Sequence, residues 1–479
     1  MMRRQWFFSC ALVLSAAAVV ACGDDTTSVT QGPVGDGGPD GTAPDASTTQ
    51  DASAAANSDA ADASAAETGT DATVNDAAAD GTTADAGAAD ADAGEAPDTG
   101  AAIDASDGGP VSYAIFVGTD FTNAELSVVS LDPDAPLGNL ALADEDSVAS
   151  ASGGLGFVLE RGAGTVLELN SEMPATVGTT IDVNDTADAQ PYASNPYTVV
   201  VTTGAQAYVA RYAENSVAII DVASGTKTGT IDLSAFVAPD DPDGLIEMSA
   251  GAYDPATHRV YLLLQRINEY GTYQGTDDVP PCLASHAEIV AIDPTTNAVV
   301  ALTDAGNGAI DLLGYNPETL VPDFANGRIL VSEGGCYGDP DGGDGSLRFG
   351  RGVESIGLAS AAPTWLYQTS DLNLVSGLIL VDSTHAYLKV GSQWLPWNPT
   401  QTTLGTPAIA NFPLAPFYDG AGRIIGLWQT QSDAGSDAGV TWSVVAMSTT
   451  TENLSTIVTA PFKDVSPNPT YGVTSALVR

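Results

Sequence analysis

Few side chains in this sequence can do bond-making chemistry, and their scarcity is informative. Three His and four Cys occur in 479 residues. His258 and His385 precede the apolar runs Val260-Tyr261 and Ala386-Tyr387, which places them at hairpin turns. His286 lies at the end of a long loop, near Cys282. No nucleophile elbow, H-E-x-x-H helix, P-loop or strand-borne G-x-G-x-x-G is present, so no catalytic constellation can be named. The Cys and His do not assemble a zinc ligand set. The one metal-like pattern follows Cys336, where Asp339, Asp341 and Asp344 alternate along the Gly-rich turn 338–345. Carboxylates spaced this way can converge on Ca²⁺, which takes six to eight oxygens. The pattern departs from an EF-hand: Asp344 stands where the invariant Gly belongs, and no Glu fills the twelfth place. A solvated acidic turn is the competing reading, and no other cofactor is expected.

The first 110 residues carry a different chemistry. Arg3 and Arg4 precede an apolar run from Trp6 to Val20. That run is shorter than the ~20 residues needed to span a bilayer, as expected of an export signal over 1–21. Val19-Val20-Ala21-Cys22 resembles the lipobox of bacterial lipoproteins, which implies cleavage before Cys22 and lipidation of its thiol. The expected location is the bacterial cell envelope, anchored through lipid and facing the periplasm or the cell surface. Residues 22–110 then form a tract of Asp, Ala, Thr and Gly. Between Gly23 and Pro110 it holds 19 acidic residues, no Lys or Arg and no aromatic residue. Such a segment cannot bury enough apolar surface to offset the entropy of ordering its backbone. It reads as a disordered tether, with an end-to-end distance of roughly 50 Å before charge repulsion extends it.

Residues 111–479 read as one all-β domain. Ala205 to Leu233 alternates a strand, a polar loop, a second strand ending at Ile220-Asp221, a Ser-Gly turn and a third strand. The plan recurs at Ile115-Phe116-Val117, Gly156-Phe157-Val158-Leu159, Val260-Tyr261-Leu262-Leu263, Ile329-Leu330-Val331, Ala386-Tyr387-Leu388 and Ile424-Ile425-Gly426-Leu427. Seven units of about 40 to 70 residues predict a seven-bladed β-propeller, in which stacked blades cover the faces that one blade leaves bare. Val473 to Val478 is the expected closing strand of the first blade, which removes the exposed sheet edges.

This register places the remaining chemistry. Cys282 and Cys336 fall in long loops between the second and third strands of consecutive blades, on one face. In an exported chain they are expected to pair; two buried thiols are the alternative. Charged residues collect on the same class of loop: Glu160 and Arg161, Arg211 and Glu214, Arg266, and Arg351 with Glu354. Glu247 precedes an innermost strand. With His286, the residues Glu247, Arg266, Arg351 and Glu354 make a candidate binding rim at one channel mouth. The competing reading is ion pairing that holds the loops. With 42 acidic against 12 basic residues beyond the tether, nucleic acid is not an expected partner.

The blade carrying Ala207-Tyr208-Val209-Ala210, Asn215-Ser216-Val217-Ala218-Ile219-Ile220-Asp221 and Thr228-Gly229-Thr230-Ile231 resembles the YVTN family of bacterial seven-bladed propellers. Phe116-Val117-Gly118-Thr119 with Leu126 to Asp132 resembles the opening blade of lactonase-like propellers. The first likeness implies a surface or envelope binding module, with an unidentified protein, glycan or small molecule as its ligand. The second implies a hydrolase using His, Arg and Glu at the channel mouth. Three His weigh against the hydrolase, so a non-enzymatic module is the leading expectation.

Overall fold

Alternating apolar runs bounded by Asp, Asn and Gly turns build antiparallel sheets here. The computed structural model describes residues 112–185, 194–268, 280–304, 306–337, 348–369, 375–431, 440–467 and 472–479. The export signal, Cys22 and the acidic tether lie outside the described residues, as do Asp339, Asp341 and Asp344.

Seven main sheets form among these residues, one per blade. From inside outward, blade 1 is Val473–Val478, Tyr113–Thr119, Ala124–Leu131 and Asp134–Leu142. Blade 2 is Ser147–Ser152, Leu155–Glu160, Thr165–Leu169 and Val177–Asp182. Blade 3 is Pro196–Val201, Gln206–Arg211, Ser216–Asp221 and Thr226–Asp232. Blade 4 is Met248–Asp254, Arg259–Leu264, Glu288–Asp293 and Ala298–Val300, with Ile310–Asp311 also pairing its third strand. Blade 5 is Pro317–Asp323, Arg328–Glu333, Gly352–Gly357 and Ala362–Gln368; a small hairpin, Cys336–Tyr337 with Arg348–Phe349, rises from its middle loop. Blade 6 keeps three strands, Val375–Asp382, His385–Val390 and Gln393–Trp397, so the four-strand plan is incomplete there. Blade 7 is Leu414–Tyr418, Arg423–Gln431, Val440–Ser448 and Leu454–Thr459. His385 opens a strand instead of sitting in the turn before it.

The innermost strands adjoin in blade order, and that of blade 7 adjoins the C-terminal strand, which closes the ring. The C-terminal strand pairs antiparallel with Tyr113–Thr119, Val478 opposite Tyr113. Outside blade 6, whose third strand Gln393–Trp397 is the sheet edge, the second and third strands are largely covered on both faces, hence their apolar runs. Seven apolar clusters result, one in each seam between blades. Tyr208, Leu262 and Val290 lie in the seam of blades 3 and 4, and Leu263, Ile289, Val331 and Ile356 in that of blades 4 and 5. Each such Leu, Ile or Val contributes about 1.5–3 kcal/mol by leaving water.

The inner strands obey a different rule. Those of blades 1, 2 and 4 (VTSALV, SVASAS and MSAGAYD) are rich in small residues, and hydroxyls on inner strands reach neighbouring blades. Thr474 Oγ1 accepts the Ala149 N–H at 2.9 Å, Ser152 Oγ accepts the Val201 N–H at 2.9 Å, and the Ser475 hydroxyl donates to the Ala415 carbonyl at 2.5 Å. Helix among the described residues is limited to two 3₁₀ turns, Ser234–Phe236 and Phe324–Asn326.

Antiparallel order fixes two faces. The loops between second and third strands share one with the blade-to-blade connectors, and we call it the connector face. The tight first-to-second and third-to-fourth hairpins make the other, the hairpin face.

Candidate functional site

The connector face of blades 3 to 5 gathers the chemistry-bearing residues. Cys282 and Cys336 form a disulfide between the middle loops of blades 4 and 5, with Cα atoms 4.8 Å apart. Backbone bonds reinforce it: Cys282 N–H donates to the Tyr337 carbonyl at 2.9 Å, and Tyr337 N–H to the Pro280 carbonyl at 2.8 Å. The pairing expected from blade register is therefore present.

The charged residues singled out for the rim are built into its wall. Glu247 is wholly buried, with Oε2 accepting the Ile267 N–H at 3.1 Å. Arg266 is buried, and its guanidinium pairs with Glu288 at 2.5 Å while donating to the His286 carbonyl at 3.0 Å. Burial raises the Glu288 carboxyl, which Arg266 and the Asn307 amide only partly oppose. Glu247 and Arg266 both hold left-handed backbone, φ 43° and 52°. Non-glycine residues adopt that region at a cost that the surrounding structure must offset. Backbone bonds from Gln265 N–H to the Glu247 carbonyl and from Arg266 N–H to that of Ile246 hold the two together.

His286 stacks on Tyr315, ring centroids 4.4 Å apart, and its Nε2 hydrogen-bonds the Tyr315 hydroxyl at 3.1 Å. Its Nδ1 is buried without a hydrogen-bond partner. Arg351 is buried just before the third strand of blade 5. Glu354 lies in that strand, fully buried, and its Oε1 accepts the Gly314 N–H at 2.5 Å. Burial pushes its carboxyl up to about 7 against the pull of the Leu313 and Gly314 amides. Arg211, wholly buried, spans blade 3 by donating to the Ser216 carbonyl at 3.0 Å and the Val183 carbonyl at 2.9 Å, and pairs with Asp185.

Sequence reasoning passed over several participants. Glu333 ends the second strand of blade 5 and is fully buried. Glu288 opens the third strand of blade 4 and anchors Arg266. Aligning second-strand ends would have exposed Glu333, because Glu160 and Arg211 occupy the same place in blades 2 and 3. Asp240, Asp241 and Asp243 form a second group in the connector from blade 3. Asp240 accepts the Ala284 N–H and the Ser285 hydroxyl, both at 2.6 Å, tying that connector to the disulfide loop. Burial opposes its ionisation, yet these donors hold its carboxyl below the usual range. Asp241, Asp243 and Glu247 offer carboxylate oxygens that all lie within 4.8 Å of one another, close enough to share a cation. Burial, followed by the Asp243 charge, raises Asp241 to about 7.

On the hairpin face, His258, Arg259 and Asp293 line a cavity of about 360 Å³ with Thr257, Thr295 and Val300. His258 Nδ1 there bonds the Tyr253 hydroxyl at 3.1 Å. His385 bonds Tyr387, so neither joins His286.

No protein-family profile matches the sequence. No curated protein matches it either. Solved structures resemble the fold only in outline. A protein from Lactobacillus plantarum is 13% identical, with TM-score 0.47 over 77% of this chain and 100% of that one. Kuenenia stuttgartiensis hydrazine synthase is 12% identical, with TM-score 0.46 over 72% and 95%. Apo AztD from Citrobacter koseri is 13% identical, with TM-score 0.42 over 77% and 98%. The propeller assignment stands on the seven sheets and their closed ring.

Proposed function

We propose that this chain is a YVTN-type propeller lipoprotein of the bacterial envelope. In this reading Cys22 carries the lipid, residues 22–110 serve as an acidic spacer, and the propeller is a binding or scaffold head without catalytic activity. The observation that supports it best is how the connector face uses its charge. The Arg266–Glu288 pair, the Asp240 carboxylate and the Cys282–Cys336 bond all brace the described ends of the middle loops of blades 4 and 5. Loop ends braced in this way suit recognition, because less ordering entropy opposes binding. The ligand is a protein, a glycan or a small molecule, reached through exposed positions on that face. A net charge of −47 disfavours nucleic acid as the partner.

One observation favours a second reading, a lactonase-type hydrolase. Glu354 has a carboxyl raised to about 7, a value suited to acid–base work near neutrality, and His286 and Arg351 share its face. Two measurements divide these readings. Cys22→Ala is expected to move the protein from the membrane fraction to the soluble fraction; a wild-type chain that is already soluble would end the lipoprotein reading. A lactone and ester screen on the purified protein is expected to give no turnover. Turnover abolished by His286→Ala would transfer the assignment to the hydrolase.

A further inference from the structure

The connector from blade 3 to blade 4 brings three carboxylates together. Asp241, Asp243 and Glu247 each offer an oxygen, and these oxygens all lie within 4.8 Å of one another. Turn residues place them there: Pro242 separates the two Asp, and Gly244 bends the chain with φ 71°. The connector is held from several sides. Asp241 N–H donates to the Ala238 carbonyl at 3.2 Å. The Asn215 side-chain amide, from the middle loop of blade 3, donates to the Gly244 carbonyl at 2.8 Å. Asp240 accepts from Ala284 and Ser285 in the middle loop of blade 4.

Each carboxylate has one oxygen fixed by a backbone amide. Asp241 Oδ1 accepts the Asp243 N–H at 3.3 Å, Asp243 Oδ1 the Leu245 N–H at 3.0 Å, and Glu247 Oε2 the Ile267 N–H at 3.1 Å. These bonds orient the groups but bring no positive charge. The remaining oxygens point to a ligand independently of the clustering. Glu247 is wholly buried, and its Oε1 lies out of water and receives no hydrogen bond. Asp241 Oδ2 is in the same condition, and no salt bridge reaches Asp241 among the described residues. A buried acceptor that meets no donor costs about 1–3 kcal/mol, and more when it is charged. Like charges at this separation add repulsion. One cation relieves both, because it takes these oxygens as ligands and offsets their charge.

We propose that Asp241, Asp243 and Glu247 bind one Ca²⁺ on the connector face. Ligands on opposite sides of Ca²⁺ stand about 4.6–5.2 Å apart, twice its ligand distance. Oxygens within 4.8 Å of one another therefore reach one ion with little movement. Three carboxylates supply three to six oxygens as they bind through one or both atoms. Asp241 and Asp243 are only partly buried, so water completes the shell. Carboxylates and water suit a hard cation, whereas zinc and copper favour Cys and His. Mg²⁺ fits less well, because it holds its waters and demands a near-ideal octahedron. The ion ties the connector to the start of blade 4, and Asp240 carries the brace on to the loop of Cys282.

The test uses the full chain in detergent, stripped with EDTA, loaded with Ca²⁺ and desalted. Metal content by mass spectrometry is compared for wild type, Asp241→Asn, Asp243→Asn and Glu247→Gln. The tether and the acidic turn 338–345 are common to all four proteins, so metal held there cancels. Each variant is expected to retain one Ca²⁺ fewer per chain than wild type. Each should also show a smaller rise in melting temperature with Ca²⁺, because an ion that binds only the folded chain stabilises it by mass action. In EDTA, Asp241→Asn and Asp243→Asn should melt at or above the wild-type temperature, since each removes one of three repelling charges. Equal Ca²⁺ content in all four proteins would overturn the site. So would a loss of Ca²⁺ matched in every variant by lower melting in EDTA, which would trace the loss to folding. An equal rise with Mg²⁺ would overturn the choice of ion.

Discussion

At the scale of single residues, the connector face turns on how buried charges are matched. Arg266 and Glu288 are each less than 10% exposed, with side-chain values of 6% and 4%. Removing one member leaves the other charged and dry, so Arg266→Ala is expected to cost about 3–5 kcal/mol in denaturant unfolding. Replacing both at once, Arg266→Met with Glu288→Leu, should cost far less, because no orphan charge remains. A small loss in the single variant would show that water reaches the pair. The sequence indicated where these residues fall but not how deep they lie. An Arg at the end of an apolar strand reads as exposed unless its partner is known, and Glu288 stands more than twenty residues downstream across a long loop. Glu333 went unread for the same reason. The two cysteines were legible because a disulfide requires only that two loops share a face, and blade register supplies that.

At the scale of elements, a single device recurs through the propeller. An Asp ends a strand, its carboxylate caps the turn, and a residue in left-handed backbone completes it. Asp221 Oδ1 accepts the Ser224 N–H at 2.9 Å and Gly225 follows with φ 64°. Asp293 Oδ1 accepts the Thr295 N–H at 2.7 Å and Asn297 follows with φ 53°. A Cβ on Gly225 would also meet Thr179 Cγ2 of blade 2 at 2.1 Å, so the turn packs against its neighbour. This accounts for part of the acidic composition without any ligand. Second and third strands were readable from the sequence because both their faces are buried. The innermost strands were not: Ser147–Ser152 reads SVASAS, with neither apolar alternation nor bulk. Small size serves the crowded axis there, and the hydroxyls serve the neighbouring blade. The closing strand was readable from its position after the seventh unit. Ending the chain at Pro467 removes that strand, exposes the edge at Tyr113–Thr119 and opens the ring between blades 7 and 2. The expected result is a protein that elutes as aggregate and lacks a cooperative thermal transition; a monomer with the wild-type transition would refute ring closure as the source of stability.

At the scale of the molecule, charge and topology separate display from recognition. Ring closure pairs the inner edge at Tyr113–Thr119, so only the outermost strand of each blade keeps a free edge. The high negative charge repels acidic surfaces. The Cys282–Cys336 bond closes a loop with a sequence separation of 54, which the chain-entropy account values at about 4 kcal/mol. It lies on the connector face, where it joins the middle loops of blades 4 and 5. The proposed binding role puts the partner on the connector face. Site-specific photo-crosslinking in the source cells tests it most directly. The exposed positions Pro242 and Ala284 on the connector face are compared with Thr257 and Ser383 on the hairpin face. A discrete crosslinked adduct is expected from Pro242 and Ala284, and none from Thr257 and Ser383. Adducts from the hairpin face alone, or the same products from both faces, would contradict it.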